Sequence, residues 1–358
     1  MKDQFNPEML ILARESRGHT QGDLARLLAV KQGTVSKLEG GMMPISLDLL
    51  DKISRVLRYP RSFFFQTEKV FGFGSSVFYH RKRQGLPLKH LRQLHAELNI
   101  RRFAVKKLLV AAEIEHFGFR HYDPAEYDGK IELIARAIRS AWRLPPGPIR
   151  NLTEAIENAG GVIIRCDFGT RKADAISEWV EPSPPLFFVN SSPEITGDRI
   201  RFSLGHELGH VVMHQFPVPD MEDQADRFAA ELLLPAREIA PQLTRLNLPK
   251  LAALKREWKV SIGALIEQAA RLEMISQSQR SRFISHLRST THSYREPEET
   301  DIPIETPSLL DELVQTHLKG LGYSVSEISA MIDEFEPEFT KKYLPAPKVL
   351  QFALKLSS

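Results

Sequence analysis

Apolar side chains recur at helical spacing in the first sixty residues, and this pattern predicts four or five short helices. Leu24, Leu27 and Leu28, followed by Val35 and Leu38, repeat every three or four positions, with a turn near residue 30. Side chains that can cap helices precede three of these segments: Asn6, Thr20 with Asp23 three residues later, and Ser46. The N-terminal part is therefore expected to be all-helical.

The pattern changes from about residue 150. A helical segment at 151–159 and the pair Gly160-Gly161 precede the apolar run 162–166, which predicts a β-strand. Two further strands are expected at 175–180 and 186–189. An amphipathic helix then begins near residue 199, and another extends from about 220 to 235.

These segments predict a mainly α protein with a small β-sheet, an α+β fold. The segment 286–307 is polar and rich in Pro and Glu, as in linkers, and Ser324 and Glu327 form a capping-box pair in the helical region that follows. The expected divisions are an N-terminal helical domain (1–66), a basic and largely helical connecting region (67–140), a central domain (141–285), a polar linker (286–307) and a helical C-terminal region (308–358).

Composition places the chain among soluble globular proteins. Its 358 residues are 42% hydrophobic and 26% charged, and no apolar run is long enough to span a bilayer. The N-terminus lacks the pattern of a secretory signal, and the single cysteine, Cys166, excludes an intramolecular disulfide. A cytoplasmic protein without a membrane partner is expected.

The distribution of charge indicates a partner for the N-terminal part. The net charge is +3, but residues 1–120 carry +10 and the remainder carries −7. A basic region of this kind favours nucleic acid as a partner. A solvated basic face is the alternative, and composition alone does not separate the two.

His206-Glu207-Leu208-Gly209-His210 is the motif that carries chemistry. Two histidines four residues apart lie on one face of a helix and can hold one metal ion together, and neutral imidazole suits Zn²⁺. Glu207 is then placed to act as general base towards a water molecule that the metal activates, and to pass the proton to a leaving amine. The alternative is that the histidines hold no metal.

The following helix offers a third ligand. Glu222 is favoured because Asp226 follows four residues later, on the same face, and can orient an imidazole. Glu231 and Glu238 are rival third ligands. His214 continues the face of the two histidines, and a structural or supporting role behind the metal ligands is expected for it. The pair Glu222 and Asp226 matches the Glu-x-x-x-Asp arrangement of the gluzincin class of metallopeptidases.

Residues 186–235 resemble the ImmA/IrrE family of bacterial and phage metallopeptidases. The resemblance covers roughly residues 140–270 and implies a gluzincin-like fold, with zinc bound by His206, His210 and Glu222 and with Glu207 as general base. It leaves no residue assigned to stabilise an oxyanion. The positions that carry it are Asn190, Arg201, Phe202, His206, Glu207, His210, Glu222, Ala225, Asp226, Phe228, Ala229, Ala230 and Pro235.

Residues 8–58 resemble the Cro/repressor-type helix-turn-helix family, often called XRE. The carrying motifs are Thr20-Gln21-x-x-Leu24-Ala25, the run from Val30 to Gly40 and Leu50-x-x-Ile53. The resemblance implies that the third helix enters the major groove of double-stranded operator DNA. The implied base or groove contacts are Gln32, Thr34 and Lys37, and the implied phosphate contacts are Gln21 and Ser36. Glu39 is expected to have a structural role. A helix-turn-helix retained only for protein interaction is the alternative.

The two motifs together predict a DNA-binding regulator fused to a zinc-dependent endopeptidase. Members of the resembled family cut repressor-type regulators, so a repressor or antitoxin is the expected substrate, in a stress, mobile-element or defence response. Because two half-sites add their contacts, a homodimer is expected. A second hypothesis is a transcription factor whose peptidase-like domain only senses a ligand, metal or partner. A third is the protease of a toxin–antitoxin or phage-defence pair, in which the C-terminal region holds the partner. A small packing subdomain is the alternative role of that region, and it is the favoured one.

Overall fold

The structure is a computed structural model that describes residues 4–71, 87–110, 118–290, 296 and 300–344. Parts of the expected connecting region, residues 72–86 and 111–117, therefore lie outside the described residues. The backbone forms two compact units. Unit 1 consists of Met1–Glu68, Phe103–Ala112 and Leu310–Ser358, and unit 2 consists of Lys69–Arg102 and Glu113–Leu309.

The described elements confirm the mainly α fold with a small sheet. The helices are α1 (Pro7–Ser16), α2 (Gln21–Leu28), α3 (Gln32–Glu39), α4 (Leu47–Leu57), α5 (Leu88–Leu109), α6 (Ile131–Ala141), α7 (Leu152–Asn158), α8 (Gly197–Met213), α9 (Met221–Leu233), α10 (Ala236–Ile239), α11 (Leu248–Trp258), α12 (Ile262–Arg271), α13 (Gln277–Thr290), α14 (Leu309–Gln315), α15 (Val325–Met331) and α16 (Glu336–Tyr343). The strands are β1 (Val162–Cys166), β2 (Ala175–Glu178) and β3 (Leu186–Asn190).

In unit 1, α1–α4 and a 3-10 turn at Arg61–Phe65 form the helical bundle expected from the apolar spacing. Thr20 and Asp23 form the expected capping box at the start of α2. Ala29 takes a left-handed conformation, with φ of 55°, and ends α2 just before α3 begins. The sharp turn between α2 and α3 follows from this local conformation.

The C-terminal helices belong to the same unit. Ser324 and Glu327 form the expected capping box of α15. Apolar residues from α14, α15 and α16 share a core with Ala104 and Leu108 of α5. Glu338 of α16 lies 3.7 Å from both Arg17 and Arg58, which follow α1 and α4. Residues 310–344 thus pack into the unit that contains the helix-turn-helix bundle.

In unit 2, the three strands form a mixed sheet in the order β1-β3-β2. β1 is parallel to β3, with Val162 paired with Leu186, and β2 is antiparallel to β3, with Ala175 paired with Val189. Every residue of the central strand β3 is buried, as its continuous apolar run implies. β2 is therefore an edge strand, and it is shorter than the expected 175–180.

Helix α8 packs closely against α9, because small residues line its contact face. A Cβ atom placed on Gly209 would lie 3.1 Å from the Phe228 ring and 3.3 Å from the Ala225 backbone. Leu204, Leu208 and Phe228 are fully buried in the core between these helices. The close approach brings the polar faces of the two helices to one place.

Two buried cations of unit 2 hold the segment that follows α13. Arg201 is 1% exposed and pairs with Glu305, while Lys255, also 1% exposed, pairs with Glu296 at 2.7 Å. The carbonyls of Ile302 and Pro303 pack against Gly197, where a Cβ atom would approach both within 2.4 Å. The described part of the expected linker 286–307 therefore packs within unit 2. Helix α8 begins at Gly197, two residues before the expected start.

Candidate active site

Helices α8 and α9 bring three metal-ligating side chains of unit 2 together. His206 and His210 lie one turn apart on α8, and Glu222 lies in the first turn of α9. One ligand atom from each residue lies within 4.8 Å of the others. Within the described ranges, no other group of three His, Cys, Asp or Glu side chains is placed to share a metal ion.

The distances between these ligand atoms fit a tetrahedral zinc ion. The Nε2 atoms of His206 and His210 are 2.9 Å apart, and they lie 3.1 and 3.3 Å from the carboxylate oxygens of Glu222. Zinc with bonds of roughly 2.0–2.1 Å separates its tetrahedral ligands by about 3.3 Å. Three protein ligands leave the fourth position open, as in catalytic zinc sites.

The second nitrogen of each imidazole has its own partner. His206 Nδ1 lies 2.8 Å from Asp226 Oδ1, so Nδ1 carries the proton and Nε2 is left as the metal donor. Burial alone would lower the pKa of His206, but the hydrogen bond to Asp226 and the charge of Glu207 outweigh it and hold the pKa above its ordinary value. The structure thus brings Asp226 to the position expected from its spacing.

A chain of hydrogen bonds extends from His210 to the surface. His210 Nδ1 lies 2.9 Å from His214 Nδ1, His214 Nε2 lies 2.9 Å from Gln224 Oε1, and the Gln224 amide donates to Asp220 Oδ2 at 2.7 Å. Burial lowers the pKa of His214, which favours the neutral ring that can accept at Nδ1 and donate at Nε2. His214 therefore lies behind His210.

Ser177 of β2 holds Glu207, and the sequence gives no sign of this contact. The Ser177 backbone N–H donates to Glu207 Oε2 at 2.9 Å, and its hydroxyl donates to the same oxygen at 2.7 Å. Both donors fix the carboxylate beside the two histidines. To identify this serine from the sequence, one would need to know the pairing and register of the edge strand β2.

The rival third ligands are engaged elsewhere in unit 2. Glu231 is 2% exposed, accepts from Arg136 of α6 at 2.7 Å and also accepts from the Ala236 backbone N–H. Glu238 accepts from the Gly147 backbone N–H. Neither residue belongs to the group of three side chains that could hold a metal ion, whereas Glu222 does.

Four of the five candidate DNA contacts lie on α3 of unit 1. Gln32, Ser36 and Lys37 are exposed, and Thr34 is half-buried. Val35 and Leu38 on the opposite face are buried in the bundle. The helix therefore presents a polar face to solvent, as an element that reads a groove requires.

Gln21 has a different environment from the other candidate DNA contacts. It is half-buried at the start of α2, and its amide donates to Glu39 Oε2 at 2.8 Å. Glu39 also accepts from the buried guanidinium of Arg14. Glu39 thus links α1, α2 and α3, the structural role that the sequence predicts.

The sequence profiles of two known families match the chain. The profile of the IrrE N-terminal-like domain, a metallopeptidase family, matches residues 156–269, and that of the helix-turn-helix domain matches residues 10–64. A search of curated proteins finds no match. Among the described residues, no helix has the length and apolar character to cross a membrane.

The two matches agree with the geometry in each unit. The IrrE N-terminal-like match contains all three metal-ligating residues, whose donor set suits a divalent metal ion, and the helix-turn-helix match contains α3 with its exposed polar face. The chain thus joins an XRE-type helix-turn-helix DNA-binding domain to an IrrE N-terminal-like, metallopeptidase-like domain, and this combination of two domains matches the ImmA/IrrE architecture.

Proposed function

We propose that the protein is an operator-binding regulator whose peptidase domain binds zinc and cleaves a repressor or antitoxin in a stress, mobile-element or defence response. The observation that carries the proposal is the group formed by His206, His210 and Glu222, with Glu207 held beside it by Ser177. A pure sensor would not need a carboxylate fixed at this place. The protein is proposed to act in the cytoplasm and to bind its operator as a homodimer.

Each residue of the site has a defined task in this proposal. His206, His210 and Glu222 would hold the ion, and bound zinc would act as a Lewis acid that polarises the scissile carbonyl. Glu207 accepts a proton from the water molecule that attacks the carbonyl carbon and passes it to the departing amine as the C–N bond breaks. Ser177 keeps the Glu207 carboxylate oriented throughout, and Asp226 and His214 keep the imidazoles oriented.

The metal half of the proposal is tested by zinc content. Purified wild-type protein is expected to hold about one zinc ion per chain, as is the Glu207→Gln variant, because Glu207 is not a ligand in this assignment. His206→Ala should lose most of the metal. Metal-replete wild-type protein without zinc would contradict the proposal.

The peptidase half is tested by mapping new protein N-termini in cells. Cells that express the wild type are compared with cells that express Glu207→Gln, which should lower the rate of cleavage by about 10²–10⁴-fold. A regulatory protein cut only in the wild-type cells is the expected result. If Glu207→Gln leaves the cellular phenotype intact while Gln32→Ala abolishes it, the peptidase-like domain acts as a sensor.

A further inference from the structure

A cleft of about 320 Å³ opens in unit 2 where the loop between α8 and α9 faces residues 121–124. Its lining also includes Met213 and His214 at the end of α8, and Gln224 on α9. No residue of the metal-ligand group lines it. Met213 lies three residues beyond His210, a rise of about 4.5 Å along the helix. The cleft is therefore a separate surface close to the metal-ligand group, away from the bond that is cut.

The loop between the two helices presents a pair of large apolar side chains to this cleft. Phe216 is 76% exposed and Val218 is 39% exposed, and both line the cleft. Each precedes a proline, Pro217 or Pro219, which restricts its backbone and stiffens the loop. Exposed apolar side chains on a stiff loop indicate a contact surface, because little conformational entropy is lost when a partner buries them.

The charged side chains of the cleft are acidic. Asp123 and Asp220 are exposed, and no lysine or arginine lines the cleft. Each carboxylate accepts one hydrogen bond, and neither forms an ion pair with a lysine or arginine of the described residues. His121 and His214 add no positive charge near pH 7, because burial lowers the pKa of each. The cleft therefore combines an apolar surface with negative charge.

We propose that this cleft docks a segment of the protein substrate in which a lysine or arginine lies beside an apolar residue. The proposal rests on the proposed peptidase function, and it names a contact of the substrate away from the bond that is cut. The carbon stem of the basic side chain packs against Phe216, and its head group faces the carboxylates of Asp123 and Asp220. The apolar neighbour covers Val218.

Other occupants satisfy only part of this surface. An acidic segment, or the phosphates of a nucleic acid, would meet two carboxylates of the same charge. A wholly apolar segment would cover these carboxylates without supplying a donor or a cation. A basic segment without an apolar neighbour would leave the Phe216 ring in water. A protein segment that carries both groups is the complementary one.

Binding is tested without cleavage, by NMR of the full-length, zinc-loaded Glu207→Gln protein with labelled valine methyl groups. The probes are acetyl-Leu-Arg-Leu-amide, acetyl-Leu-Glu-Leu-amide and acetyl-Ser-Arg-Ser-amide. The Leu-Arg-Leu probe should shift the Val218 signals and bind about 10-fold more tightly than Leu-Glu-Leu, because the same carboxylates attract one charge and repel the other. It should bind about 3- to 10-fold more tightly than Ser-Arg-Ser. No Val218 shift, or equal binding of Leu-Arg-Leu and Leu-Glu-Leu, overturns the proposal.

The charge preference is tested by removing the carboxylates from the same protein. The double variant Asp123→Asn with Asp220→Asn keeps a hydrogen-bond acceptor at each position and should abolish the preference for arginine over glutamate. The control Asp128→Asn with Asp223→Asn removes two exposed carboxylates outside the cleft and should retain the preference. A preference that survives in the first double variant is evidence against the proposal.

The apolar contact is tested by Phe216→Ala. This variant should bind Leu-Arg-Leu about 10-fold more weakly, as expected when an aromatic contact is lost. Met274→Ala, at an apolar position that is 40% exposed and outside the cleft, should bind it as before. If Phe216→Ala instead lowers the oligomeric state in analytical ultracentrifugation and leaves peptide binding unchanged, a second copy of the chain occupies this surface and the proposal is wrong.

Cleavage separates failure of this proposal from failure of the peptidase function. A randomised library of long peptides is treated with the zinc-loaded wild type, and the products are sequenced. Cut peptides should be enriched in lysine or arginine beside an apolar residue, at a fixed distance on one side of the cut, and Asp123→Asn with Asp220→Asn should lose this enrichment. An uncut library contradicts the peptidase function and leaves the NMR result to judge the cleft. Cleavage with the same preference in both proteins contradicts the docking proposal alone.

Discussion

The metal-ligand group of unit 2 and the recognition helix of unit 1 present their polar side chains in opposite ways. His206, His210 and Glu207 are partly or fully buried, and each is held by a second side chain. Gln32 and Lys37 on α3 are exposed and make no side-chain hydrogen bond in the described ranges. In α3 the fixed residues lie beneath the surface, where Glu39 joins three helices.

This difference reflects the different requirements of catalysis and of DNA recognition. A reaction needs donors and acceptors fixed before the substrate arrives, so the site depends on residues that never touch the substrate. A DNA-reading helix can leave its contact residues free, because the DNA itself supplies their partners. Substitutions behind the metal ligands should therefore alter function, whereas those beneath α3 should alter stability.

The largest expected effect is at Glu39. Arg14, whose side chain is only 8% exposed, is paired with both carboxylate oxygens of Glu39, and its other contacts are the His19 carbonyl and Glu15 at 3.4 Å. Glu39→Ala removes the closer carboxylate and should lower the free energy of unfolding by about 3 kcal/mol. Chemical denaturation of the full-length protein measures the change. Glu8→Ala, at an exposed position of α1, serves as the control and should cost less than about 1 kcal/mol. If Glu39→Ala and Glu8→Ala lowered the free energy of unfolding equally, the residues beneath α3 would not be the ones that stabilise this domain.

The next effect is on metal affinity. Asp226→Ala removes the acceptor from His206 Nδ1, so zinc should bind about 10- to 100-fold more weakly while the fold remains stable. Competition with a chromogenic chelator gives the affinity. Asp223→Ala, an exposed position on the same helix, should leave the affinity unchanged. If both variants bind zinc as the wild type does, the metal site does not rely on its supporting residues.

A smaller effect is expected at Lys37. If the Lys37 ammonium contacts a phosphate, Lys37→Ala should weaken DNA binding equally for all sequences. It should also reduce the slope of log K against log salt concentration by about one. Thermal stability should not change, because Lys37 is exposed. Titrations at several salt concentrations with two operator sequences measure this slope. Loss of discrimination between the sequences would instead place Lys37 on a base.

The smallest effect is a pH dependence at the start of α2. The backbone and hydroxyl hydrogen bonds from Thr20 lower the pKa of Asp23 from 3.8 to about 2. Since the folded-state pKa is depressed, this cap contributes stability above pH 3.8 and loses it as the pH falls towards 2. An NMR titration of the Asp23 carboxyl gives its pKa, and Asp23→Asn should remove this part of the acid sensitivity of α2. A carboxyl that titrates near 3.8 would contradict the cap.

The sequence predicted the features that depend on local spacing. The strands β1 and β3, the helix with both histidines, and the pair Glu222 and Asp226 on the next helix are all readable from periodicity and i,i+4 geometry. The capping boxes at Thr20 and Ser324 are likewise local, and the structure contains both.

The features that the sequence could not supply depend on contacts distant along the chain. Ser177 reaches Glu207 across 30 positions, and Arg201 reaches Glu305 across 104. Such contacts follow from how strands and helices pack, which no local pattern encodes. The polar, Pro-rich composition of 286–307 is also typical of linkers. Composition therefore does not indicate that glutamates of this segment pair with buried cations.

The ion pairs made by Glu296 and Glu305 decide where this protein can be divided. A peptidase fragment that stops at residue 285 leaves Arg201 without Glu305 and leaves Lys255 with Asp198 as its remaining carboxylate partner. It also exposes the surface of Gly197 against which the Ile302 carbonyl packs. A fragment that extends beyond Glu305 retains these partners. The C-terminal limit of a stable peptidase fragment is therefore set by charge balance in its core, some twenty residues after the end suggested by composition.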